Sequence, residues 1–256
     1  MSDTVLFERR DHVAIITLNR PEARNAVNGD LAAGVEAAID ELEADDDLWL
    51  GLLAANGPSF CAGADLKEVA ANGGRGLATK KGGFGGLVAR DRTKPLIAAV
   101  EGNAVAGGTE LALACDLIVA SRSSKFGLPE VKRSLVAAAG GLARLPKALP
   151  PKLAMELIMT GDPIDAELAH HHGMINRICD DGTALDVAME LAAAINVNAP
   201  LAVRASRQVA IDSQFVGDRE AMKLAGAEMT RLSTTEDFAE GPRAFIEKRP
   251  PEWKGR

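Results

Sequence analysis

The sequence predicts an α/β protein in which a core of alternating strands and helices is followed by a smaller helical part. Short β-branched runs alternate with helical patterns as far as about residue 126. From residue 129 onward, apolar residues recur mostly at the 3.6-residue spacing of helices. The 256 residues, 47% apolar and 25% charged, suffice for a large core of ordinary globular composition.

The elements of the first part follow from these patterns in order. Residues 12–18 form a β-branched run that Pro21 stops. Residues 30–43 place apolar side chains on one helical face, with Asp30 as the expected N-cap. Further buried strands are predicted at residues 48–54, 96–100 and 117–121. Because these runs alternate with helices, we expect ββα-type units in which helices cover a sheet.

Residues 72–86 interrupt this alternation with an unusual composition. Seven of the fifteen residues are glycine, and three basic residues lie among them. Such a segment is typical either of a flexible surface loop or of a mobile lid beside a substrate site.

The second part of the chain is predicted to be mainly helical. One short strand is expected at residues 174–179. Helical spacing predicts helices at residues 151–160, 165–173, 183–196, 199–213, 218–232 and 234–248.

Composition argues against several classes of function. A net charge of −7 and 4% aromatic residues disfavour a nucleic-acid-binding surface. The three cysteines are too widely spaced to indicate a disulfide framework. Consecutive residues of a helix point in different directions, so His170, His171 and His172 are not expected to bind one metal ion together. No apolar run approaches membrane-spanning length, and the polar N-terminus has no targeting features, so we expect a cytoplasmic protein without membrane association.

The stretch at residues 59–67, SFCAGADLK, lies between a predicted strand and a predicted helix. Its small residues allow close approach of another molecule to the backbone. A helix starting near Asp65 would point unpaired N–H groups back toward Ala64, which suits a developing oxyanion. Taken alone, this stretch is better explained as an ordinary tight strand-to-helix turn.

Two later stretches each place a glutamate at a helix start. Gly107 and Gly108 precede a helical pattern whose first turn contains Glu110. Pro129 suits the first position of another helix, and Glu130 follows it directly. Each carboxylate alone is consistent with helix capping, whereas the pair could handle two protons around one substrate. The glycines match neither a Rossmann fingerprint nor a P-loop.

These stretches together resemble the enoyl-CoA hydratase/isomerase (crotonase) superfamily, and most closely its hydratases. The resemblance covers residues 5–253. It rests on CAGADLKE, IAAVEGNAVAGGTELALACDLIVAS, FGLPEV followed by AAAGGLARLP, TGDPIDAELAHHHGMINRI and the closing EGPRAFIEKRPPEW.

The resemblance implies a fold and an assembly. Residues 1–196 would form a spiral of ββα units, and residues 197–256 a helical region that serves trimerisation and the CoA site. The protein would be a homotrimer or a dimer of trimers that acts on an acyl-CoA thioester, without a cofactor other than the CoA of its substrate. Residues 72–86 fall where the family has a variable loop beside the acyl pocket, which favours the lid interpretation.

The resemblance also implies roles for individual residues. The backbone N–H groups of Ala64 and Gly107 would hold the thioester oxygen, and Glu110 and Glu130 would act as general acid and base. This pattern implies hydration of a 2-enoyl-CoA to a 3-hydroxyacyl-CoA. The alternatives are another reaction of the superfamily, of the enoyl-CoA isomerase or carnitinyl-CoA dehydratase type, and a non-catalytic acyl-CoA-binding paralogue.

Further positions correspond to the family's CoA contacts. The adenine and pantetheine would lie near Ala23, Arg24, Ala62 and Asp65. The C-terminal aromatic and basic positions are Phe245 and Lys248, which in many members belong to a neighbouring subunit; the alternatives are a core aromatic and a solvated charge. One departure is Ala138, which stands where hydratases usually have a glycine near the catalytic water, and its methyl would narrow the water site or shape the acyl pocket.

Overall fold

The computed structural model describes residues 3–256. Its largest sheet has six strands in the order β1-β2-β3-β6-β8-β11. β1 is antiparallel to β2, and the remaining neighbours are parallel. The strands are β1 Val5–Arg10, β2 Val13–Leu18, β3 Leu50–Ala55, β4 Ala78–Thr79, β5 Gly83–Phe84, β6 Leu96–Val100, β7 Asn103–Val105, β8 Leu117–Ser121, β9 Lys125–Gly127, β10 Ile164–Asp165 and β11 Arg177–Cys179.

Helices cover the sheet and form the C-terminal part. Short 3₁₀ helices lie at Pro21–Ala23, Pro129–Arg133 and Ser213–Phe215. The α-helices are α1 Gly29–Ala44, α2 Leu66–Asn72, α3 Gly107–Ala114, α4 Gly141–Ala148, α5 Pro151–Thr160, α6 Ala166–His171, α7 Ala184–Asn196, α8 Pro200–Asp212, α9 Asp218–Leu232 and α10 Glu236–Glu247.

Both faces of the main sheet are buried. Alternate side chains of a strand point to opposite faces, so neighbouring residues of β2 enter different cores. Ile16 belongs to the larger core, which α1 helps to build, and Ile15 belongs to the core that α7 covers. This arrangement explains why the parallel strands have continuous apolar runs, because both of their faces are covered.

Most predicted elements are confirmed, with one corrected cap. The α1 N-cap is Asn28, and the prediction of Asp30 was wrong. Asn28 has extended backbone angles and accepts a hydrogen bond from the Leu31 N–H at 2.9 Å, whereas Asp30 lies inside the first turn. The sequence patterns did not predict strand β1 or helix α4.

A second sheet brings distant segments together near one end of the main sheet. Its strands lie in the order β10-β9-β7. Two isolated bridges, Val27 with Ala64 and Cys61 with Ala104, tie the residue 59–67 stretch to its neighbours. The start of α3 therefore lies beside this stretch.

The last helices bury few side chains within the chain. α9 has no buried residue, and near the end of α10 Phe245 is 85% exposed. Among residues 3–256, no single helix is long and apolar enough to cross a membrane; α7 and residues 200–215 pass that test only as a pair bent by 103°.

Candidate active site

A cavity of about 1060 Å³ lies where the small sheet, α3 and α4 meet. Its walls come from six parts of the chain, including the hairpin β4–β5 and the turn before α4. Six of the predicted site residues line it: Arg24, Ala62, Ala64, Gly107, Glu110 and Glu130.

Ala64 offers one backbone donor to this cavity. Its neighbours are paired, because the Val27 N–H donates to Gly63 O at 2.7 Å and the Asp65 N–H donates to Val27 O at 2.9 Å. In such a parallel bridge, the N–H of the intervening residue faces away from the partner strand. Within residues 3–256 the Ala64 N–H donates to no protein group. It is therefore free to bind an oxygen atom in the cavity.

The origin of this donor differs from the sequence-based expectation. The first turn of α2 is capped locally, since the Asp65 carboxylate accepts the Lys67 N–H at 3.1 Å. The Lys67 N–H is therefore not available to an oxyanion at Ala64, although the sequence suggested the N–H groups of this helix start as donors. The bridge to Val27, and not the helix, orients the Ala64 N–H.

Gly107 offers a second donor close to the first. As the first residue of α3, it has no intrahelical acceptor for its N–H, and the described residues supply no other. Ala106 has φ 53° and ψ −127°, a conformation that costs an L-residue about 1–3 kcal/mol. Gly63 has φ 93°, and a Cβ there would lie 3.0 Å from Gly107 N. Glycine at position 63 thus allows the two donor segments to touch.

Glu110 is buried in the first turn of α3 and faces the cavity. Its Oε1 accepts a hydrogen bond from the Gly141 N–H at 2.9 Å, at the start of α4. Burial raises the pKa of Glu110 above its ordinary value, while the backbone amides of Gly141 and Ala139 and the charge of Arg144 oppose that rise. The Glu110 carboxyl group is therefore fixed in place and largely desolvated.

Glu130 approaches the same cavity from the 3₁₀ helix Pro129–Arg133. Its Oε2 is buried and has no hydrogen-bond partner within residues 3–256. Burial raises the pKa of Glu130, and the negative charge of Glu110 raises it further. An unpartnered carboxyl oxygen beside a second carboxylate favours the protonated form, which can donate to a substrate.

The remaining predicted contacts lie elsewhere. Ala23 ends the 3₁₀ helix Pro21–Ala23, and Asp65 pairs with Arg20 at 3.1 Å; neither lines the cavity. Phe245 and Lys248 lie at the exposed end of α10, also away from the cavity walls. Within one chain, the structure therefore brings together the four predicted catalytic groups and only part of the predicted CoA site.

The glycine-rich segment contains more regular structure than a loop. β4 and β5 form a two-stranded hairpin within residues 72–86. The Glu36 carboxylate of α1 accepts the Gly82 N–H at 2.8 Å and the Lys81 N–H at 3.2 Å. The hairpin supplies Leu77 and Phe84 to the cavity wall. This placement agrees with the expected position beside the substrate.

One residue beside Glu110 was not singled out from the sequence. Arg144 of α4 lines the cavity and hydrogen-bonds to two backbone carbonyl groups. A single arginine in an amphipathic helix carries no distinguishing pattern, so only the three-dimensional contacts identify it.

Comparison with known proteins agrees with this geometry. Residues 8–256 match the family model described as enoyl-CoA hydratase/isomerase. An enoyl-CoA hydratase of Mycobacterium tuberculosis is 41% identical over 98% of this chain and 96% of its own length. The chain belongs to the enoyl-CoA hydratase/isomerase family.

Solved structures show the same relationship. A crystal structure of an enoyl-CoA hydratase from Mycobacterium tuberculosis superposes with a TM-score of 0.96 at 47% identity, covering all of both chains. A carnitinyl-CoA dehydratase of Citrobacter koseri is 38% identical over the full length of both sequences. The family assignment makes this chain a crotonase-type acyl-CoA enzyme with the expected α/β fold.

Proposed function

We propose that this enzyme is an enoyl-CoA hydratase, which adds water to a 2-enoyl-CoA and forms a 3-hydroxyacyl-CoA. The observation that carries the proposal is the convergence of two unpaired backbone donors and two carboxyl groups on one cavity. Addition of water to a conjugated thioester needs a base for the water, an acid for the α-carbon and a site for the enolate oxygen. The four groups supply these functions.

The N–H groups of Ala64 and Gly107 would hold the thioester oxygen. Negative charge grows on that oxygen when hydroxide adds to the β-carbon, so the two hydrogen bonds strengthen in the transition state. Loss of one such donor costs about 10²–10³ in rate in comparable sites.

The environments of the two glutamates support different roles. Glu110 is held by the Gly141 N–H and faces the charge of Arg144, so it suits the base that takes a proton from water. Glu130 lacks a partner for Oε2 and suits the acid that protonates the α-carbon. Water thus gives its hydroxyl to the β-carbon and a proton to Glu110, while Glu130 gives one proton to the substrate. Proton transfer between the carboxyl groups restores the starting state.

The CoA part of the substrate would extend past Arg24 and Ala62, with Ala23 and Asp65 nearby. We assign the missing part of this site to Phe245 and Lys248 of a neighbouring subunit in a homotrimer or a dimer of trimers. The exposure of Phe245 (85%) and Ile246 (79%) supports this assembly, because adjacent large apolar side chains favour a protein contact. Light scattering of the purified protein measures the assembly directly.

A dehydratase acting on a carnitinyl-type substrate is the second candidate, because relatives of that name match the full length of the chain. A trimethylammonium group favours carboxylates or several aromatic rings. The charged groups of the cavity wall other than Glu110 and Glu130 are cationic: Arg24, Arg133, Arg144 and Lys147. These charges favour a neutral or anionic acyl group.

The experiment that tests the proposal follows the absorbance of the conjugated thioester with a panel of acyl-CoA esters. Loss of absorbance with straight-chain and branched 2-enoyl-CoA esters is the expected result. Conversion of a 3-enoyl-CoA without hydration of any 2-enoyl-CoA would instead indicate an isomerase. Turnover of crotonobetainyl-CoA alone would favour the second candidate, and tight binding without turnover would indicate a non-catalytic paralogue.

A further inference from the structure

Arg144 is held in the cavity wall by backbone carbonyl groups. Its Nη2 donates to Val88 O at 2.6 Å, and its Nη1 donates to Ala139 O at 3.3 Å. No carboxylate within residues 3–256 forms an ion pair with it. A half-buried guanidinium group without an ionic partner is unusual, since buried charges are ordinarily paired.

One of the carbonyl groups that Arg144 binds lies in the turn that also hydrogen-bonds to Glu110. Ala139 begins the turn that leads into α4, and in this turn Gly141 donates its N–H to Glu110 Oε1. The Arg144 main chain is joined to the same turn, because its N–H donates to Gly140 O at 2.9 Å. The guanidinium group therefore ties the turn to Val88, another residue of the cavity wall.

Charged groups around Glu110 come from three elements. Glu110 belongs to α3, Glu130 faces it from the 3₁₀ helix, and Arg144 faces it from α4. Arg92 and Cys115 also act electrostatically on Arg144, and burial raises the pKa of the Cys115 thiol to about 12. Arg144 is thus a cation that opposes the effect of burial on the pKa of the Glu110 carboxyl.

We propose that Arg144 is a positioning residue that holds residues 139–141 against Glu110 and places a positive charge beside this buried carboxyl group. Its link to hydration rests on the proposed function, in which Glu110 is the base. Its action on Glu110 does not depend on the substrate.

The test compares Arg144→Gln, which removes the charge, with Arg144→Lys, which keeps the charge and removes the two-pronged hydrogen bonding. Infrared difference spectra between each protein and its Glu110→Gln partner follow the titration of the Glu110 carboxyl without substrate. We expect Arg144→Gln to move that titration to higher pH and Arg144→Lys to leave it near the wild-type position. Arg122→Gln, an exposed arginine paired with Glu167, is the control for a change of net charge.

Turnover of a 2-enoyl-CoA gives the second readout. We expect the acid limb of the pH profile to move upward in Arg144→Gln, with kcat lowered by about 10²-fold and KM changed far less. In Arg144→Lys, kcat should fall while the acid limb of the pH profile stays at its wild-type position. An unchanged Glu110 titration in a folded Arg144→Gln protein would overturn the inference, and so would an Arg144→Lys protein whose titration moves upward as well. A wild type without turnover would contradict the proposed hydratase but leave the titration test decisive.

Discussion

The close packing of Gly108 against the loop at Cys61 gives a direct way to move one of the proposed oxyanion donors. A Cβ added at position 108 would lie 2.1 Å from the Cys61 carbonyl oxygen and 2.8 Å from its carbon. Both neighbours are backbone atoms, so no flexible side chain can move aside. Gly108→Ala must therefore displace the first turn of α3 from the segment that contains Ala64.

The size of the effect follows from that contact. Real Cβ contacts are essentially never shorter than 3.0 Å, so the helix start has to move by about 1 Å, a displacement that can cost about 10²-fold in rate. Gly107 and Glu110 lie in the same turn, so both the oxyanion donor and the proposed base lose their alignment. We expect kcat to fall by about 10²-fold, equivalent to about 3 kcal/mol of transition-state stabilisation.

The assay measures kcat and KM for a 2-enoyl-CoA ester by loss of thioester absorbance. Gly226→Ala is the matched control, because a Cβ there meets no atom within 4 Å and the residue lies inside α9. Circular dichroism and thermal unfolding check that both variants fold. A folded Gly108→Ala protein with the kcat of the Gly226→Ala control would refute the argument that the start of α3 is part of the catalytic geometry.

Three further predictions concern stability and binding. Burial raises the pKa of Glu110, so ionisation of Glu110 destabilises the folded protein at pH values above the ordinary pKa of 4.5. Glu110→Gln removes this cost and should raise Tm at neutral pH. The increase in Tm should disappear as the pH falls toward 4.5 and below, where the wild-type carboxyl group is protonated in both the folded and the unfolded protein. Asn25 is fully buried, with its amide nitrogen bonded to Asn56 O and Ser59 O, so Asn25→Ala should lower the free energy of unfolding in urea by about 2–4 kcal/mol. Lys248→Ala should raise KM for acyl-CoA by roughly 5- to 10-fold with little loss of kcat if this lysine meets a CoA phosphate; an unchanged KM would place it outside the site.

The elements whose sequences have a clear apolar pattern could be predicted from the sequence. Residues 96–100 and 117–121 were predicted as strands and have those bounds in the structure, because a continuous apolar run between turn residues specifies a strand buried on both faces. Strand β1 has only one buried residue, Val5, so its pattern is too polar to stand out. Helix α4 contains Pro146 and begins at paired glycines, which hide its helical character.

The candidate site was predictable where chemistry depends on residue type and order. Glu110 and Glu130 stand out as a pair, because each follows a glycine or proline at a predicted helix start and together they could handle two protons around one substrate. The orientation of the Ala64 N–H depends on a bridge to Val27, 37 positions away in the chain, and no local pattern carries that information. Arg144 was also missed, because its side chain binds the backbone carbonyl groups of Val88 and Ala139. Every residue has such a carbonyl group, so the sequence does not reveal the contact.

The central claim is that two glutamates carry out the proton transfers of hydration. The most direct measurement compares wild type with Glu130→Gln and Glu110→Gln on one good 2-enoyl-CoA, together with the Kd of each protein for a saturated acyl-CoA. We expect kcat to fall by about 10²–10⁴-fold in each variant, the usual contribution of a general acid or base, while Kd stays nearly unchanged. Full activity in either variant would contradict the two-glutamate mechanism.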